Sequence, residues 1–245
     1  MTTSPERAMM VSPSAGPEPR RTPVGLFADQ YLVGQAVRTA LSTRGFPVAN
    51  YRWPTGSRQV REAAHHLVQI EAAVGVLLCD LDKPERLPEV AELVHAAGSV
   101  RWLLLTNAPE SPRWGAVLIR GITAVLPTST GLDDLVVAVS AAAAGGSVMD
   151  ETVRRRLVRE WRLVEDEERR LVARMESLTA RELNVLSLLY DGRSVRGIAE
   201  LAGVSEATVR SQVKAVLRKL EVNSQLAAVA AYRRAKDVSR TTREL

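Results

Sequence analysis

The stretch "SEATVRSQVKAVLRKLEV", residues 205–222, carries an apolar stripe and a basic stripe at helical spacing. The apolar residues follow one another at intervals of four, three and four, at Val209, Val213, Val216 and Leu220. The basic residues recur every four positions beside them, at Arg210, Lys214 and Arg218. Surface helices usually mix charges of both signs, but no acidic residue lies between positions 210 and 219. The pattern predicts a helix that packs through one face and offers a basic face to a polyanion.

Two shorter helical segments precede this stretch, and each has its own start and stop signals. Thr179 and Glu182 have the spacing of a capping box, and Gly192 ends the segment that they begin. Ser194 is placed to cap the second segment, and Gly203 makes the turn to the third. Two short helices, a glycine turn and a basic amphipathic helix match a helix-turn-helix, whose last helix enters the major groove of DNA. An ordinary helical bundle with a basic face is the alternative.

From residue 178 to residue 229 the chain resembles the LuxR-type DNA-binding domain, also called the GerE or NarL type. The matching residues include Leu178-Thr179, Arg181-Glu182, Gly192, Ile198-Ala199, Thr208-Val209 and Lys219-Leu220. The resemblance implies that a homodimer binds double-stranded DNA at an inverted-repeat operator, and it implies no catalytic group. It places base contacts at Arg210, Ser211 and Lys214 and phosphate contacts at Thr208 and Lys219. Two further residues complete the predicted DNA-binding set: Arg218 of the basic stripe, and Gln212, which stands where the family often has histidine. The resemblance places the dimer contacts of the final helix at Leu226, Val229 and Ala230.

The length and composition set further limits. The 245 residues, 46% of them hydrophobic, suit two domains that each bury a core. The longest apolar run, 135–144, is about half as long as a membrane-spanning helix, and the N-terminus lacks the apolar core of a signal peptide. The single cysteine, Cys79, excludes disulfides within the chain and cysteine-ligated zinc, so we expect a cytoplasmic protein. Nine Lys or Arg but only three Asp or Glu follow residue 206, which concentrates the net charge of +5 near the C-terminus.

The first half of the chain has the sequence pattern of an α/β domain. Five short apolar runs alternate with segments of helical spacing, at 24–28, 47–51, 74–79, 100–105 and 122–126. This alternation predicts a doubly wound, five-stranded parallel sheet with helices on both faces. In such sheets the functional groups gather at the carboxyl ends of the strands. The polar residues at those ends are Asp29, Asp80, Thr106 and Thr128.

Changes in composition predict five segments along the chain. They are a disordered leader (1–22), the α/β domain (23–147), a linker helix (148–175), an all-α helix-turn-helix domain of four helices (176–237) and a disordered tail (238–245). The linker has a heptad pattern with one charged interruption, at Leu157, Trp161, Val164, Glu168, Leu171, Met175 and Leu178. It either dimerises as a short coiled coil or packs on one of the chain's own domains.

The α/β domain resembles the receiver domain of response regulators. "VLLCDLDKP" places Asp80 at the phosphoacceptor position, and "WLLLT" places Thr106 at the position of the switch hydroxyl. The Mg²⁺ of that family needs an acidic pair beside the acceptor, but Ala28 takes the place of the first acid and leaves Asp29. The family's lysine after the fifth strand, which stabilises the transferring phosphoryl group, is replaced by Thr128.

These departures imply an atypical receiver whose state is not set by phosphorylation of Asp80. Asp82 can supply a replacement oxygen ligand, so we expect Mg²⁺ only if this degenerate pocket still binds it. We expect no other metal site or cofactor, because His65, His66 and His95 lack acidic or cysteine partners at the spacing of metal ligands. A small-molecule or protein effector at the receiver-like domain would supply the input instead. A conventional two-component response regulator, activated by phosphorylation, is the alternative.

The same strand end has a second resemblance. "LLCDLD" followed by "LLLTNA" is similar to the first two motifs of haloacid-dehalogenase-type phosphatases, in which Asp80 would be the nucleophile and Asp82 the acid or base. That family carries its first motif on the first strand and needs a later lysine. Asp80 follows the third predicted strand, and no lysine lies between Lys83 and Lys214. We therefore expect a regulator and no enzymatic activity.

Overall fold

The computed structural model describes residues 22–83 and 85–243. The predicted leader lies outside this range except for Thr22. The predicted tail begins at residue 238, whereas the last helix continues to Arg243, so the sequence boundary does not coincide with the end of that helix. None of the helices in the described ranges is long and apolar enough to cross a membrane.

Five parallel strands form one sheet in the order β2-β1-β3-β4-β5. The strands are β1 (Val24–Ala28), β2 (Val48–Arg52), β3 (Val74–Leu78), β4 (Arg101–Thr106) and β5 (Ile122–Pro127). The helices that follow them are α1 (Tyr31–Thr43), α2 (Ser57–Gln69), α3 (Arg86–Ala96), α4 (Pro112–Ile119) and α5 (Leu132–Ala143). The doubly wound sheet is confirmed, and every strand begins and ends within one residue of its predicted bounds.

Helices cover both faces of the sheet. All residues of β1 and β3 are buried, as expected for central parallel strands. Helices α2, α3 and α4 pack on one face through residues such as Leu67, Leu93 and Val117. Helices α1 and α5 pack on the other face through residues such as Leu41 and Val139. The predicted pocket residues lie at the carboxyl ends of the strands, where Thr106 is buried, Asp29 and Asp80 are partly buried and Thr128 is exposed.

A long helix, α6 (Glu151–Glu176), leaves the α/β domain and packs its first half against α4. Leu157 is fully buried in the α/β core, and Trp161 is nearly so. The two helices touch at Gly115, where an added Cβ atom would lie 2.1 Å from the carbonyl oxygen of Leu157. Arg154 donates to three backbone carbonyls at the end of α4 and the start of β5. Of the two interpretations of the heptad pattern, the structure shows a linker packed on the chain's own domain.

The second half of α6 packs against the C-terminal domain. Met175 joins the apolar cluster around Leu186 and Leu220. Arg174 forms an ion pair with Glu221 at 2.7 Å. One continuous helix of 26 residues, about 39 Å long, therefore connects the two cores.

The C-terminal domain is a helix-turn-helix. Its helices are α7 (Ala180–Tyr190), α8 (Val195–Ala202), α9 (Glu206–Lys219) and α10 (Gln225–Arg243). Thr179 and Glu182 form the predicted capping box, and the hydroxyls of Ser194 and Ser205 each accept from a backbone amide three residues on. Gly203 adopts a left-handed conformation with φ of 64°, which favours glycine, and it ends α8 before the turn to α9. The predicted apolar stripe of α9 is buried.

Candidate nucleic-acid interface and acidic pocket

The outer face of α9 is open to solvent in the presence of the α/β domain. Its exposed residues are Thr208, Arg210, Ser211, Lys214 and Arg218, with Gln212 half-buried beside them. Arg210 Nη2 lies 3.0 Å from Oε2 of Glu206, in an exposed pair one helical turn apart. Among the described residues, Lys214 and Arg218 have no ion-pair partner. Their charges are therefore available to an anionic partner.

Lys219, at the end of the same helix, is held by its own domain. Its Nζ lies 2.6 Å from Oε2 of Glu182 and donates to the carbonyl oxygen of Ser177 at 3.0 Å. The hydrogen bond from Lys219, followed by that from the Thr179 amide, lowers the pKa of Glu182 below its ordinary value. The ammonium group ties the end of α9 to the start of α7. The predicted contact between Lys219 and DNA phosphate has to compete with this internal pair.

The predicted dimer contacts share one face of α10. Leu226 is 79% exposed, Ala230 is exposed and Val229 is half-buried. Residues spaced by three and four positions lie side by side on a helix. The structure therefore places these three side chains together at the surface, and their role in dimerisation stays a prediction.

Three of the predicted pocket residues meet at the carboxyl ends of β1, β3 and β4. Oδ2 of Asp29 accepts from the amide of Asp80 at 3.5 Å, and Oδ1 of Asp80 accepts from the amide of Asp82 at 3.0 Å. Thr106 is buried, and its Oγ1 accepts from two backbone amides at 3.1 and 3.4 Å. These backbone donors already engage the threonine oxygen as an acceptor.

The side chains of the other two predicted pocket residues, Asp82 and Thr128, are exposed. Asp82 contributes its backbone, because its amide donates to Asp80 and its carbonyl oxygen accepts from Nη1 of Arg113 at 3.0 Å. The amide of Thr128 donates to the carbonyl oxygen of Thr106 at 2.9 Å. Both residues thus lie at the rim of the pocket.

One residue that sequence reasoning missed, Arg86, enters this pocket. Its side chain is 12% exposed, and its Nη2 lies 3.6 Å from Oδ2 of Asp29. Its Nη1 pairs with Oε2 of Glu89, and its guanidinium carbon lies 4.7 Å from the ring centroid of Trp53. Nζ of Lys83 lies 3.8 Å from the same Asp29 oxygen. The available signal was a cation at the first residue of α3, where the helix dipole disfavours positive charge.

The remaining polar candidates are engaged in ordinary contacts. The described ranges contain no group of three or more His, Cys, Asp or Glu side chains placed to hold a metal ion. Nδ1 of His66 lies 2.6 Å from the hydroxyl of Tyr51, and His65 is hydrogen-bonded to Gln69. Burial raises the pKa of the Cys79 thiol to about 12, so this thiol stays protonated near neutral pH.

Comparison with known proteins assigns the chain to a family. The family model described as "Bacterial regulatory proteins, luxR family" matches residues 176–232. The nitrate/nitrite response regulator protein NarP of Escherichia coli K12 is 31% identical over 179 residues, which cover 71% of this chain and 81% of NarP. The chain belongs to the LuxR family of response regulators. This LuxR-family regulator is also 29% identical over 167 residues to the transcriptional regulatory protein DegU of Brevibacillus brevis, covering 63% of the chain and 71% of DegU.

A solved structure of the response regulator RcsB of Salmonella typhimurium aligns with 86% of this chain and 97% of its own, with a TM-score of 0.45 and 20% identity. Family membership makes this LuxR-family protein a DNA-binding transcription regulator with a helix-turn-helix domain. The predicted family and fold class are therefore confirmed. The relatives are regulatory proteins, which favours the regulator interpretation of Asp80 over the phosphatase one.

Proposed function

We propose that this regulator binds an inverted-repeat operator as a homodimer, with α9 of each subunit in a major groove. The exposed face of α9 carries this proposal, because Lys214 and Arg218 have no ion-pair partner among the described residues. Arginine and lysine pair with guanine O6 and N7 and with phosphate oxygens. Since the α/β domain leaves this face uncovered, DNA binding needs no prior separation of the domains.

The face of α10 that carries Leu226, Val229 and Ala230 supports the homodimer. A twofold contact through this face would present two α9 helices in opposite orientations. The symmetry of an inverted repeat mirrors that of such a dimer.

Fluorescence anisotropy with the full chain tests the DNA-binding face, once an operator duplex has been selected from a random library. Arg210→Ala and Lys214→Ala each remove a predicted groove contact, so we expect each to weaken binding by about 5- to 150-fold, or about 1–3 kcal/mol. Arg58→Ala, which changes an exposed arginine of α2, is the matched control and keeps the wild-type affinity. Unchanged binding by both α9 variants would overturn the proposal.

Sedimentation on the selected duplex tests the dimer. Leu226→Glu places a charge in the proposed contact, so we expect two subunits per operator to become one at the same concentration. Leu163→Glu, on the exposed side of α6, serves as the control and leaves the stoichiometry unchanged. Two bound subunits in both variants would contradict dimerisation through this face.

We further infer that phosphorylation of Asp80 does not control this regulator. Stabilising a transferring phosphoryl group requires fixed positive charge beside its oxygens. Thr128 stands where the family has its lysine, and the two cations that the structure places in this pocket, Lys83 and Arg86, lie against Asp29, at 3.8 and 3.6 Å from its Oδ2. Ala28 stands where the family has a metal-binding acid. The conventional phosphorylation-activated regulator is the alternative.

Intact mass measurement after incubation with acetyl phosphate and Mg²⁺ distinguishes the phosphorylation-independent regulator from the conventional one. We expect the full chain to keep its mass. A stoichiometric increase that Asp80→Ala abolishes would establish the conventional alternative.

An effector acting on the α/β domain completes this proposal. A groove of about 440 Å³ lies between α1 and β2 and is lined by Tyr31, Gln35, Arg38, Asn50 and Arg52 among others. Two arginines without an acidic residue in the lining suit an anionic small molecule. Pyrophosphate serves as the probe. A saturable rise in Tm that Arg38→Ala removes supports binding in the groove, and an equal rise in both proteins contradicts it.

We expect this bacterial regulator in the cytoplasm, because that is where its DNA partner lies.

A further inference from the structure

The acidic pocket does not fit the Mg²⁺ that receiver domains bind. A divalent ion needs several oxygen ligands with unneutralised negative charge. Oδ2 of Asp29 already has Arg86 at 3.6 Å and Lys83 at 3.8 Å, and one oxygen of Asp80 accepts a backbone amide. The first acid of the usual pair is absent, because Ala28 stands there. An added Mg²⁺ would therefore meet positive charge where it needs ligands.

We propose that the guanidinium of Arg86 takes the place of the metal ion and makes this pocket insensitive to Mg²⁺. The proposal deepens the phosphorylation-independent function inferred above and rests on it. It gives Arg86 a positioning role, in which a side chain of the protein supplies the charge that neutralises Asp29.

The contacts of Arg86 hold it in the pocket. Asp29 and Glu89 pair with different nitrogens of its guanidinium, and Trp53 packs on the guanidinium face. Trp53 is fixed in turn, because its Nε1 donates to Oε2 of Glu89 at 2.8 Å. Arginine has a planar group that suits a carboxylate on its edge and an aromatic ring on its face. Lys83 is 48% exposed, so solvent screens its contribution and Arg86 is the main cation of the site.

The position of Arg86 in α3 supports the same role. It is the first residue of the helix, where unpaired amides and the helix dipole favour an anion. A cation there is unfavourable unless neighbouring carboxylates offset it, and Asp29 and Glu89 do so. This arrangement is expected when the cation serves the pocket and not the helix.

Removing the charge of Arg86 should open a metal site. Arg86→Ala leaves the carboxylates of Asp29 and Glu89 without the cation that pairs with both, and Asp80 lies beside Asp29, to which its amide donates. Asp82, exposed at the rim, can then complete a set of oxygen ligands. The variant should bind a divalent cation that the wild-type pocket excludes.

Mn²⁺ binding to the full chain, followed by the electron paramagnetic resonance signal of free Mn²⁺, tests this directly. We expect saturable binding of one Mn²⁺ by Arg86→Ala and none by wild type, by Arg86→Lys or by the control Arg58→Ala. Without metal, Arg86→Ala should have a lower Tm than wild type, and Mg²⁺ should restore part of the difference. Adding Asp29→Asn to Arg86→Ala should abolish the binding. A merely structural arginine would produce the lower Tm but no restoration by Mg²⁺.

Two results would overturn the proposal. One is saturable Mn²⁺ binding by wild type that Asp29→Asn removes, and the other is a folded Arg86→Ala that binds no Mn²⁺. If Arg86→Ala does not fold, Arg86→Gln keeps hydrogen-bond donors in the pocket without the charge, and the same two outcomes apply to it. The acetyl phosphate experiment on wild type remains separate, because a mass increase there defeats the phosphorylation-independent function whatever Arg86→Ala binds.

Discussion

The two domains differ in whether their basic side chains are buried and paired or exposed and unpaired. In the α/β domain, Arg86 is 12% exposed and lies between Asp29 and Glu89. On α9, Lys214 and Arg218 are exposed and have no ion pair within the described residues. A buried basic side chain that meets carboxylates of its own chain stabilises the fold, whereas exposed basic side chains such as Lys214 and Arg218 remain available to a partner. The local sequence indicates part of this contrast, because Glu85 and Glu89 flank Arg86 whereas residues 210–219 contain no acidic residue. The pair between Arg86 and Asp29 depends on the fold.

Helix α6 packs on both domains and connects their cores. Leu157→Ala removes its fully buried anchor and should cost the α/β domain about 2–5 kcal/mol in free energy of unfolding. Tryptophan fluorescence in urea measures this loss, because all four tryptophans lie in the α/β domain or in α6. Leu163→Ala, on the same helix but 67% exposed, should change stability by less than about 0.5 kcal/mol. Equal losses in the two variants would show that α6 is not docked.

The ion pair between Arg86 and Asp29 in the pocket can be removed by changing the carboxylate. Asp29→Ala leaves Arg86 with Glu89 alone, and we expect a loss of about 3 kcal/mol, as for breaking other buried ion pairs. The same urea titration measures it. Asp82→Ala, which removes an exposed carboxylate from the same loop, is the control and should leave stability unchanged within about 0.5 kcal/mol. If Asp29→Ala is as stable as Asp82→Ala, the pocket is not held by its charges.

The features that the sequence predicted well are local ones. The capping box of Thr179 and Glu182, the caps at Ser194 and Ser205, and the turn at Gly203 each depend on residues within one or two helical turns. Strand bounds were predicted equally well, since a short apolar run between helical segments is itself a local pattern.

The features that the sequence left open depend on residues far apart in the chain. Arg86 meets Asp29 only because the sheet brings β1 and β3 side by side. The heptad pattern of α6 shows that the helix has an apolar side but not what covers it. Helix α4 covers that side, because Gly115 has no side chain and lets α4 approach the backbone at Leu157. Nothing in the sequence around Gly115 marks this contact.

Helix α9 contains both kinds of cation: Lys219 pairs with Glu182 of its own chain, and Lys214 has no ion pair within the described residues. Lys219→Ala leaves the partly buried Glu182 without its ion pair, so the C-terminal domain should lose about 1–3 kcal/mol. Lys214→Ala should change stability by less than about 0.5 kcal/mol. Far-ultraviolet circular dichroism in urea reports the helices of both domains. The part of its transition that tryptophan fluorescence does not share belongs to the C-terminal domain, which contains no tryptophan.

DNA binding should reverse the order of these two variants. Lys214→Ala should weaken binding and change its salt dependence, whereas Lys219→Ala should do neither at a temperature where it is folded. A flatter salt dependence for Lys219→Ala would place this lysine among the phosphate contacts and move it to the other class.

The pH dependence of stability gives the smallest and most specific effect. Because the pKa of Glu182 is lowered in the folded state, its ionised form contributes stability above its ordinary pKa of about 4.3, and this is lost as the pH falls through the folded value. The urea midpoint of the C-terminal domain should therefore fall in acid for wild type and fall less for Glu182→Gln.

Lys219→Ala separates the causes of that pH dependence. The hydrogen bond from Lys219 is the largest cause of the lowered pKa of Glu182, and the Thr179 amide comes next. Lys219→Ala should therefore reduce the acid-dependent loss although Glu182 is still present. If Lys219→Ala keeps the full wild-type loss, the Thr179 amide alone holds the charge of Glu182. The ammonium of Lys219 would then be free to contact phosphate, and the contrast between the two lysines of α9 would disappear.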